Sequence, residues 1–158
     1  MEDFKLTEHF GFYEATNSEA HPDLVTKNRE EALPLQDKLK EGLTELVEPI
    51  RTKFGCVIVT NGFRGPELNK AVGGVPTSQH QNAEAFDIIV PNHSNDEIIS
   101  WIYWDSGIHW GQLIEEGVGN KKWIHISMGV PYREAQECMQ CLKYDGYHYV
   151  PFIPDKPK

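Results

Sequence analysis

The sequence predicts an α+β fold, in which helices pack on a small, mostly antiparallel sheet. Apolar residues at helical spacing dominate the first third of the chain, whereas short apolar runs bounded by turn residues dominate the rest. Helices that precede hairpin-connected strands are typical of this class. Because the 158 residues contain no repeat or low-complexity linker, we expect one domain over residues 1–158, with residues 155–158 as a frayed tail.

The first half of the chain is predicted to contain one long helix. Residues 6–16 suggest a short helix or turn with Thr7 as its N-cap, and residues 17–30 suggest a polar loop. Residues 33–53 then form the clearest helix, because their apolar side chains recur at spacings of three and four. Pro49 is expected to kink this helix or split it in two. The apolar stripe consists of Leu35, Leu39, Leu43, Leu46, Val47, Ile50 and Phe54.

Four short strands are predicted after this helix, each an apolar run next to turn residues. They cover residues 56–60, 85–90, 112–116 and 123–128. A short helix with proline at its first position is predicted from Pro66 to Val72. Ser94 and Glu97 form a capping box that begins another helix, which ends near Trp104. Beyond the strands, the segment from Pro131 to about Leu142 is predicted to be helical, and Tyr144 to Ile153 extended.

Charge and hydropathy argue against two classes of partner. The formal net charge of −9 would repel phosphates, so we expect no nucleic-acid partner. No stretch approaches the roughly 20 apolar residues of a membrane span, so we expect no membrane insertion. The first residues are Met-Glu-Asp-Phe-Lys, which form neither the basic nor the apolar region of a signal peptide. We therefore expect no signal peptide and a protein that is in the cytoplasm when it is synthesised.

The cysteines are expected to be reduced thiols, because there are three of them and no secretion signal accompanies them. Cys138 and Cys141 form a CxxC pair, but no second pair completes a zinc knuckle. The pair lies in the predicted C-terminal helix, whereas a thioredoxin-like pair would follow a strand. Structural thiols are therefore the preferred interpretation, with redox or metal function as the alternative.

Two histidines and an aspartate are the most distinctive chemical feature of the chain. Asp87 lies in the second predicted strand, His80 in the loop before it, and His125 on the polar face of the fourth strand. Such residues can converge on one tetrahedral site with the fourth position left for water, as in a catalytic zinc centre. On spacing alone, structural histidines remain the alternative, because the chain has seven histidines.

Residues 61–87 and 123–127 resemble the zinc D-alanyl-D-alanine peptidases, which include peptidoglycan carboxypeptidases, L-alanyl-D-glutamate endopeptidases and many phage endolysins. The family pattern is G-[YF]-R-x-x-x-x-N, then S-x-H-x-x-G-x-A-x-D, then W-x-H-x-S, and the three parts occur here in that order. Residues 6–14, 46–51 and 112–116 also resemble the single-domain phage-type branch.

The resemblance implies that His80, Asp87 and His125 hold Zn²⁺, which lowers the pKa of a water molecule and polarises the scissile carbonyl. It implies that Arg64 binds carboxylate or carbonyl groups of the substrate, a role that suits a guanidinium. Ser78 is expected to donate a hydrogen bond to the substrate or, alternatively, to hold the loop that carries His80.

A general base is expected near the last ligand, His125. The E-x-x-H form that some relatives carry is absent, since Lys122 occupies that position. Glu116 matches the acidic end of the family's Q-[LV]-I-x-E segment and is the predicted catalytic residue. Glu115 is the neighbour to exclude, because strand alternation places it on the opposite face. Trp123 is expected to form a wall of the substrate cleft, with a core aromatic as the alternative.

One position departs from the family pattern. The glycine of S-x-H-x-x-G-x-A-x-D is Ala83 here. Since glycine often supplies a positive φ or a close backbone approach, we expect a small shift of this loop and no change in the ligands.

The leading hypothesis is a zinc peptidase that cuts bacterial peptidoglycan stem peptides, as a D-Ala-D-Ala carboxypeptidase or an L,D-endopeptidase. The alternative is a binding or structural module that keeps the zinc without turnover. The presence of Arg64, Ser78 and Glu116 argues against this module, because a structural zinc site needs neither a base nor a guanidinium. The absence of a signal peptide and of a wall-binding domain fits a phage lysin that is released to the cell wall or carried on the virion. The oligomeric state stays open.

Overall fold

Six helices and a six-stranded sheet make up the computed structural model, which describes all 158 residues. The α+β prediction is confirmed. The helices are α1 (Phe12–Ala15), α2 (Val25–Ala32), α3 (Gln36–Gly42), α4 (Glu48–Phe54), α5 (Pro66–Ala71) and α6 (Asn95–Trp104). The strands are β1 (Ile58–Asn61), β2 (Ala85–Ile89), β3 (Trp110–Val118), β4 (Lys121–Met128), β5 (Gln140–Tyr144) and β6 (Tyr149–Pro151).

Helical turns run without a break from residue 22 to residue 54, so the predicted loop over residues 17–30 is wrong in its second half. The buried residues of α2 are Val25, Asn28 and Ala32. Because an asparagine takes one of these positions, the apolar periodicity that reveals a helix is weak in this segment.

Pro49 splits the long helix, as predicted. A π-helical turn over Leu43–Val47 separates α3 from α4, and Pro49 lies in the first turn of α4, where a missing backbone N–H costs least. Thr7, in contrast, caps no helix. The residue before α1 is Gly11, and the Thr7 hydroxyl instead donates a hydrogen bond of 2.6 Å to Glu48 of α4.

The sheet has the order β1-β2-β4-β3-β5-β6. All neighbouring strands are antiparallel except β3 and β5, which are parallel. One face of the central strands packs on the helices, where Phe86, Ile88, Ile124, Ile126 and Leu113 are fully buried. The helices contribute their own apolar stripe to the same core, with Leu39, Leu43, Leu46 and Ile50 all buried. The opposite face of β2, β3 and β4 is therefore free to carry polar side chains.

The helix predicted from Pro131 to Leu142 is wrong. Apart from one 3₁₀ turn over Ala135–Glu137, this segment is irregular until β5, which pairs with the edge of β3. The β5–β6 hairpin then covers that edge, so the prediction of an extended segment near the C-terminus is confirmed for residues 149–151.

The last residues contact α6. Trp104 Nε1 donates a hydrogen bond of 2.9 Å to the carbonyl of Pro154, and the Ser100 hydroxyl donates one to the carbonyl of Asp155. These bonds hold the backbone as far as the start of the predicted frayed tail. Of the helices in the structure, none has the length and apolar character that crossing a bilayer requires.

Candidate metal centre

Three elements bring His80, Asp87 and His125 together. His80 lies in a 3₁₀ turn over Gln79–Asn82, whose N-cap is Ser78. Asp87 lies in β2 and His125 in β4, and the two are directly opposite each other in the antiparallel ladder. Because their neighbours along each strand are core residues, both side chains point to the face away from the helices.

The geometry of the three side chains fits a tetrahedral metal site. His80 Nε2 lies 3.3 Å from Asp87 Oδ1, and His125 Nδ1 lies 3.0 Å from the same oxygen. All three ligand atoms lie within 4.8 Å of one another, and the chain contains no other such group of three. Bonds of about 2.0–2.1 Å to a tetrahedral zinc separate neighbouring ligand atoms by about 3.3 Å. The donor set therefore needs little movement to hold zinc.

A backbone carbonyl orients His80. Its Nδ1 donates a hydrogen bond of 2.6 Å to the carbonyl of Gly62, which leaves Nε2 as the metal-binding nitrogen. Gly62 must be glycine, because a Cβ at this position would lie 2.3 Å from the carbonyl oxygen of Ala15 in α1. The glycine of the G-[YF]-R segment thus allows close packing that aims the first ligand.

Burial and charge favour the protonation states that a metal requires. Desolvation lowers the pKa of His80 although the Asp87 carboxylate raises it, which favours the neutral imidazole. For Asp87, desolvation would raise the pKa, but the two histidines together outweigh it and hold the pKa well below its ordinary value. Neutral imidazole and ionised carboxylate are the forms that bind a metal.

The three side chains lie in an open cleft of about 570 Å³, a size ordinary for a ligand site. Arg64, Ser78, Glu116 and Trp123 also line this cleft. The structure therefore places all seven predicted site residues around one space. Trp123 is a cleft wall rather than a core aromatic.

Arg64 and Ser78 contact each other beside His80. The guanidinium Nη2 donates a hydrogen bond of 3.2 Å to the Ser78 hydroxyl, which also accepts one of 3.3 Å from the backbone N–H of His80. These bonds tie Ser78 to the turn that carries His80, and its hydrogen bond to the substrate stays a prediction. Burial lowers the pKa of Arg64, while Asp87 and Glu116 raise it.

Glu115 and Glu116 lie on opposite faces of β3. Glu116 is half-buried at the cleft, where burial raises its pKa although a hydrogen bond from Tyr149 lowers it. Glu115 is 7% exposed on the other face, and its carboxylate lies 3.3 Å from both Lys122 and Lys143. Only Glu116 is therefore placed to act on a molecule in the cleft.

Two residues that support this site escaped the sequence analysis. Tyr149 of β6 donates hydrogen bonds of 3.0 and 3.2 Å to the Glu116 carboxylate. Asn28 of α2 donates to the carbonyls of Thr16 and Phe63 and accepts from the N–H of Gly65. Asn28 therefore fixes both sides of Arg64. A lone asparagine in a polar segment is a weak signal for such a role.

Ala83 adopts the conformation for which glycine is suited. It ends the turn that carries His80, with φ 58° and ψ 35°, in the left-handed region. Its side chain is fully buried in the core. An L-residue in this region carries backbone strain, and His80 nevertheless lies beside Asp87 and His125. The expected small shift of the loop stays a prediction.

The remaining candidates lie outside the centre. Cys141 is buried on β5, and desolvation raises the pKa of its thiol to about 12, which makes a redox role unfavourable. The other five histidines join no metal-binding group: His9, His21, His93, His109 and His148.

Comparison with known proteins places these residues in a family. The chain matches the family described as Peptidase M15 over residues 15–127. No curated protein matches the chain. The match contains the three candidate ligands together with Arg64 and Glu116, whereas Tyr149 lies beyond its end.

Proposed function

Because the chain belongs to the peptidase M15 family, we propose that it hydrolyses peptide bonds in peptidoglycan stem peptides, with zinc held by His80, Asp87 and His125. The family consists of metal-dependent peptidases, typically zinc-dependent, whose substrates are peptides related to peptidoglycan. The observation that carries the proposal is that one cleft holds a His-Asp-His set, a carboxylate and a guanidinium together.

A zinc ion at this site would supply Lewis acidity toward a carbonyl and lower the pKa of a water molecule toward about 7. Glu116 is the proposed general base, which takes a proton from the attacking water and returns it to the leaving amine. Its half-buried position favours this role, because burial brings the pKa of its carboxyl closer to neutral pH.

Arg64 and Trp123 are proposed to position the substrate. The guanidinium of Arg64 donates a hydrogen bond to Ser78, beside the turn that carries His80. It can therefore bind a carboxylate or carbonyl oxygen next to the scissile bond. Trp123 is directly opposite Glu116 in the β3–β4 ladder and offers an apolar wall to the peptide. Release of the protein to the cell wall stays a prediction of the resemblance.

Mass spectrometry of purified stem peptides, incubated with zinc-loaded protein, tests this proposal and identifies the bond. We expect a product with the wild type and with Glu115→Gln, and a rate lower by about 10²–10⁴-fold with Glu116→Gln. Glu115→Gln is the matched control, because it removes the same charge from the opposite face of β3.

Two results would contradict the proposal. A product formed at equal rates by the wild type and Glu116→Gln would show that another residue is the general base. No product from any protein, with zinc bound, would favour a module that keeps the metal without turnover.

A further inference from the structure

A second guanidinium lines the cleft, from a part of the chain beyond the family match. Arg133 follows β4 and lines the same cleft as Arg64 and the candidate ligands. The match ends at residue 127, so nothing in the family pattern assigns Arg133 a role.

Neutral oxygens hold the Arg133 side chain in place. Its Nε donates a hydrogen bond of 2.7 Å to the carbonyl of Glu137, Nη1 donates one of 3.2 Å to Gln79 Oε1, and Nη2 donates one of 3.1 Å to Gln140 Oε1. Three of the five guanidinium N–H donors are thereby used, and two are left for a ligand.

Both glutamine amides are themselves fixed by further hydrogen bonds. Gln79 Nε2 donates to the carbonyl of Met128 at 3.1 Å and to Glu84 at 3.3 Å, and Gln140 Oε1 also accepts from Gln112 at 3.1 Å. The amide oxygens therefore keep their direction toward Arg133. Such a preorganised donor loses little conformational entropy when it binds a ligand.

No carboxylate of the chain neutralises Arg133. None lies within 4.0 Å of its guanidinium, although the chain carries 24 acidic side chains and a net charge of −9. A guanidinium stays protonated at any physiological pH, and its planar fork matches a carboxylate. In an acidic protein that repels anions at long range, a fixed and unneutralised cation in the cleft favours an anionic ligand group.

The two guanidiniums of the cleft contact neighbouring residues of one turn. Arg64 donates to Ser78, and Arg133 donates to Gln79, immediately before the candidate ligand His80. A peptide in this cleft can therefore contact two separate cations beside the turn that carries His80.

We propose that Arg133 binds a substrate carboxylate other than the group that Arg64 binds, so that the cleft selects stem peptides with that carboxylate free. This inference rests on the proposed function, because it names a further feature of the same substrate. Amidation of the carboxylate then removes the charge that Arg133 recognises, and the amidated peptide becomes a poor substrate.

Three forms of one synthetic stem pentapeptide with lysine at its third position test the inference: both carboxylates free, the D-glutamate α-carboxylate amidated, and the C-terminal carboxylate amidated. For the wild type, we expect amidation of the carboxylate that Arg133 binds to lower kcat/KM by about 10- to 100-fold, as for a charged hydrogen bond. In Arg133→Gln, kcat/KM for the free peptide falls by the same factor, and that amidation no longer matters. Arg51→Gln, which removes an arginine of α4 outside the cleft, keeps the preference of the wild type.

The outcomes separate the inference from the proposed function. Arg133→Gln activity that falls equally on all three peptides, or a wild type that does not discriminate, would overturn the inference. If the wild type hydrolyses none of them, the proposed function fails, and calorimetric binding of the same peptides decides the inference. Tighter binding of the free form by the wild type and not by Arg133→Gln then supports it, whereas equal binding overturns it.

Discussion

Polar side chains far from the ligands in sequence hold the candidate centre in shape. Asn28 uses both ends of its amide to tie α2 to the loop that carries Arg64. Tyr149 reaches the carboxylate of Glu116 from the last strand. Each of these side chains makes several polar contacts. Its loss would therefore remove several hydrogen bonds that hold the geometry of the site.

Replacing Tyr149 with phenylalanine tests its bond to the proposed base. The hydroxyl lowers the pKa of Glu116 against the larger, raising effect of burial. Without the hydroxyl the pKa of Glu116 rises further, and because the base must be deprotonated, the acidic limb of the kcat/KM–pH profile shifts to higher pH. Tyr147→Phe, on an 86% exposed residue of the same hairpin, leaves the profile unchanged. An unshifted acidic limb in Tyr149→Phe would mean that Glu116 is not the titrating base.

Ala83→Gly measures the strain in the loop of His80. Glycine relieves the left-handed conformation, which costs an L-residue about 1–2 kcal/mol. The change also removes a buried methyl group worth about 0.8 kcal/mol, and it increases the conformational entropy of the unfolded chain. These terms nearly cancel, so the free energy of unfolding stays within about 1 kcal/mol of the wild type. Ala85→Gly is the matched control, because Ala85 is equally buried but lies in β2 with no positive φ.

We expect Ala85→Gly to be the more destabilising change by about 1–2 kcal/mol, which urea unfolding of both variants resolves. Equal losses in the two variants would show that Ala83 carries no strain.

At the scale of secondary-structure elements, the contact between α3 and β2 determines how closely the helices can approach the sheet. Gly42, the last residue of α3, lies against the ring of Phe86 in β2. A Cβ at this position would lie 2.6 Å from Phe86 Cε2 and 3.3 Å from the sulfur of Met128. The absence of a side chain in α3 therefore allows the close approach.

Gly42→Ala consequently destabilises the protein by about 1–3 kcal/mol through overpacking, although alanine stabilises an ordinary helix position by about 1 kcal/mol. Lys40→Ala, on the exposed side of the same helix, is expected to change stability by less than about 0.5 kcal/mol. The midpoints of urea unfolding distinguish the two. A more stable Gly42→Ala would show that the helix can move away from the sheet without cost.

The C-terminal strands show why a local pattern was misleading. The residue pattern of 131–142 predicts a helix, but β5 instead pairs with the open edge of β3 and buries Cys141. The backbone hydrogen bonds that β3 offers come from a strand about 30 residues earlier in the chain. Local propensity contains no information about such a partner.

For the molecule as a whole, the candidate centre joins a turn and two strands. Because these ligands come together only in the folded state, a bound metal stabilises that state relative to the unfolded chain. Zinc at about 100 times its dissociation constant would stabilise the fold by about 2.7 kcal/mol, which raises the Tm by about 5–10 °C for a chain of this size. His125→Ala removes this response, whereas His109→Ala, on an exposed residue outside the site, keeps it.

Differential scanning calorimetry with and without zinc, followed by a chelator, measures the effect. An equal zinc response in His125→Ala and the wild type would place the metal elsewhere in the protein.

The sequence by itself determined the fold class, the division of the long helix at Pro49, the central strands and seven of the residues that line the cleft. Apolar periodicity and strand alternation carry this information locally, since they set which face of each element is buried. The ordered family segments added the ligand set, which spacing alone left open among seven histidines.

Only the tertiary structure decided the rest. The sequence around Asn28 is polar and predicts a loop. In the structure Asn28 is a buried residue of α2 that donates to the carbonyl of Phe63, next to Arg64. Arg133 and Tyr149 reach the cleft because β5 and β6 extend the sheet beside β3. Contacts between segments so distant in the chain depend on how complete elements pair and pack, and no local pattern of residue types records that pairing.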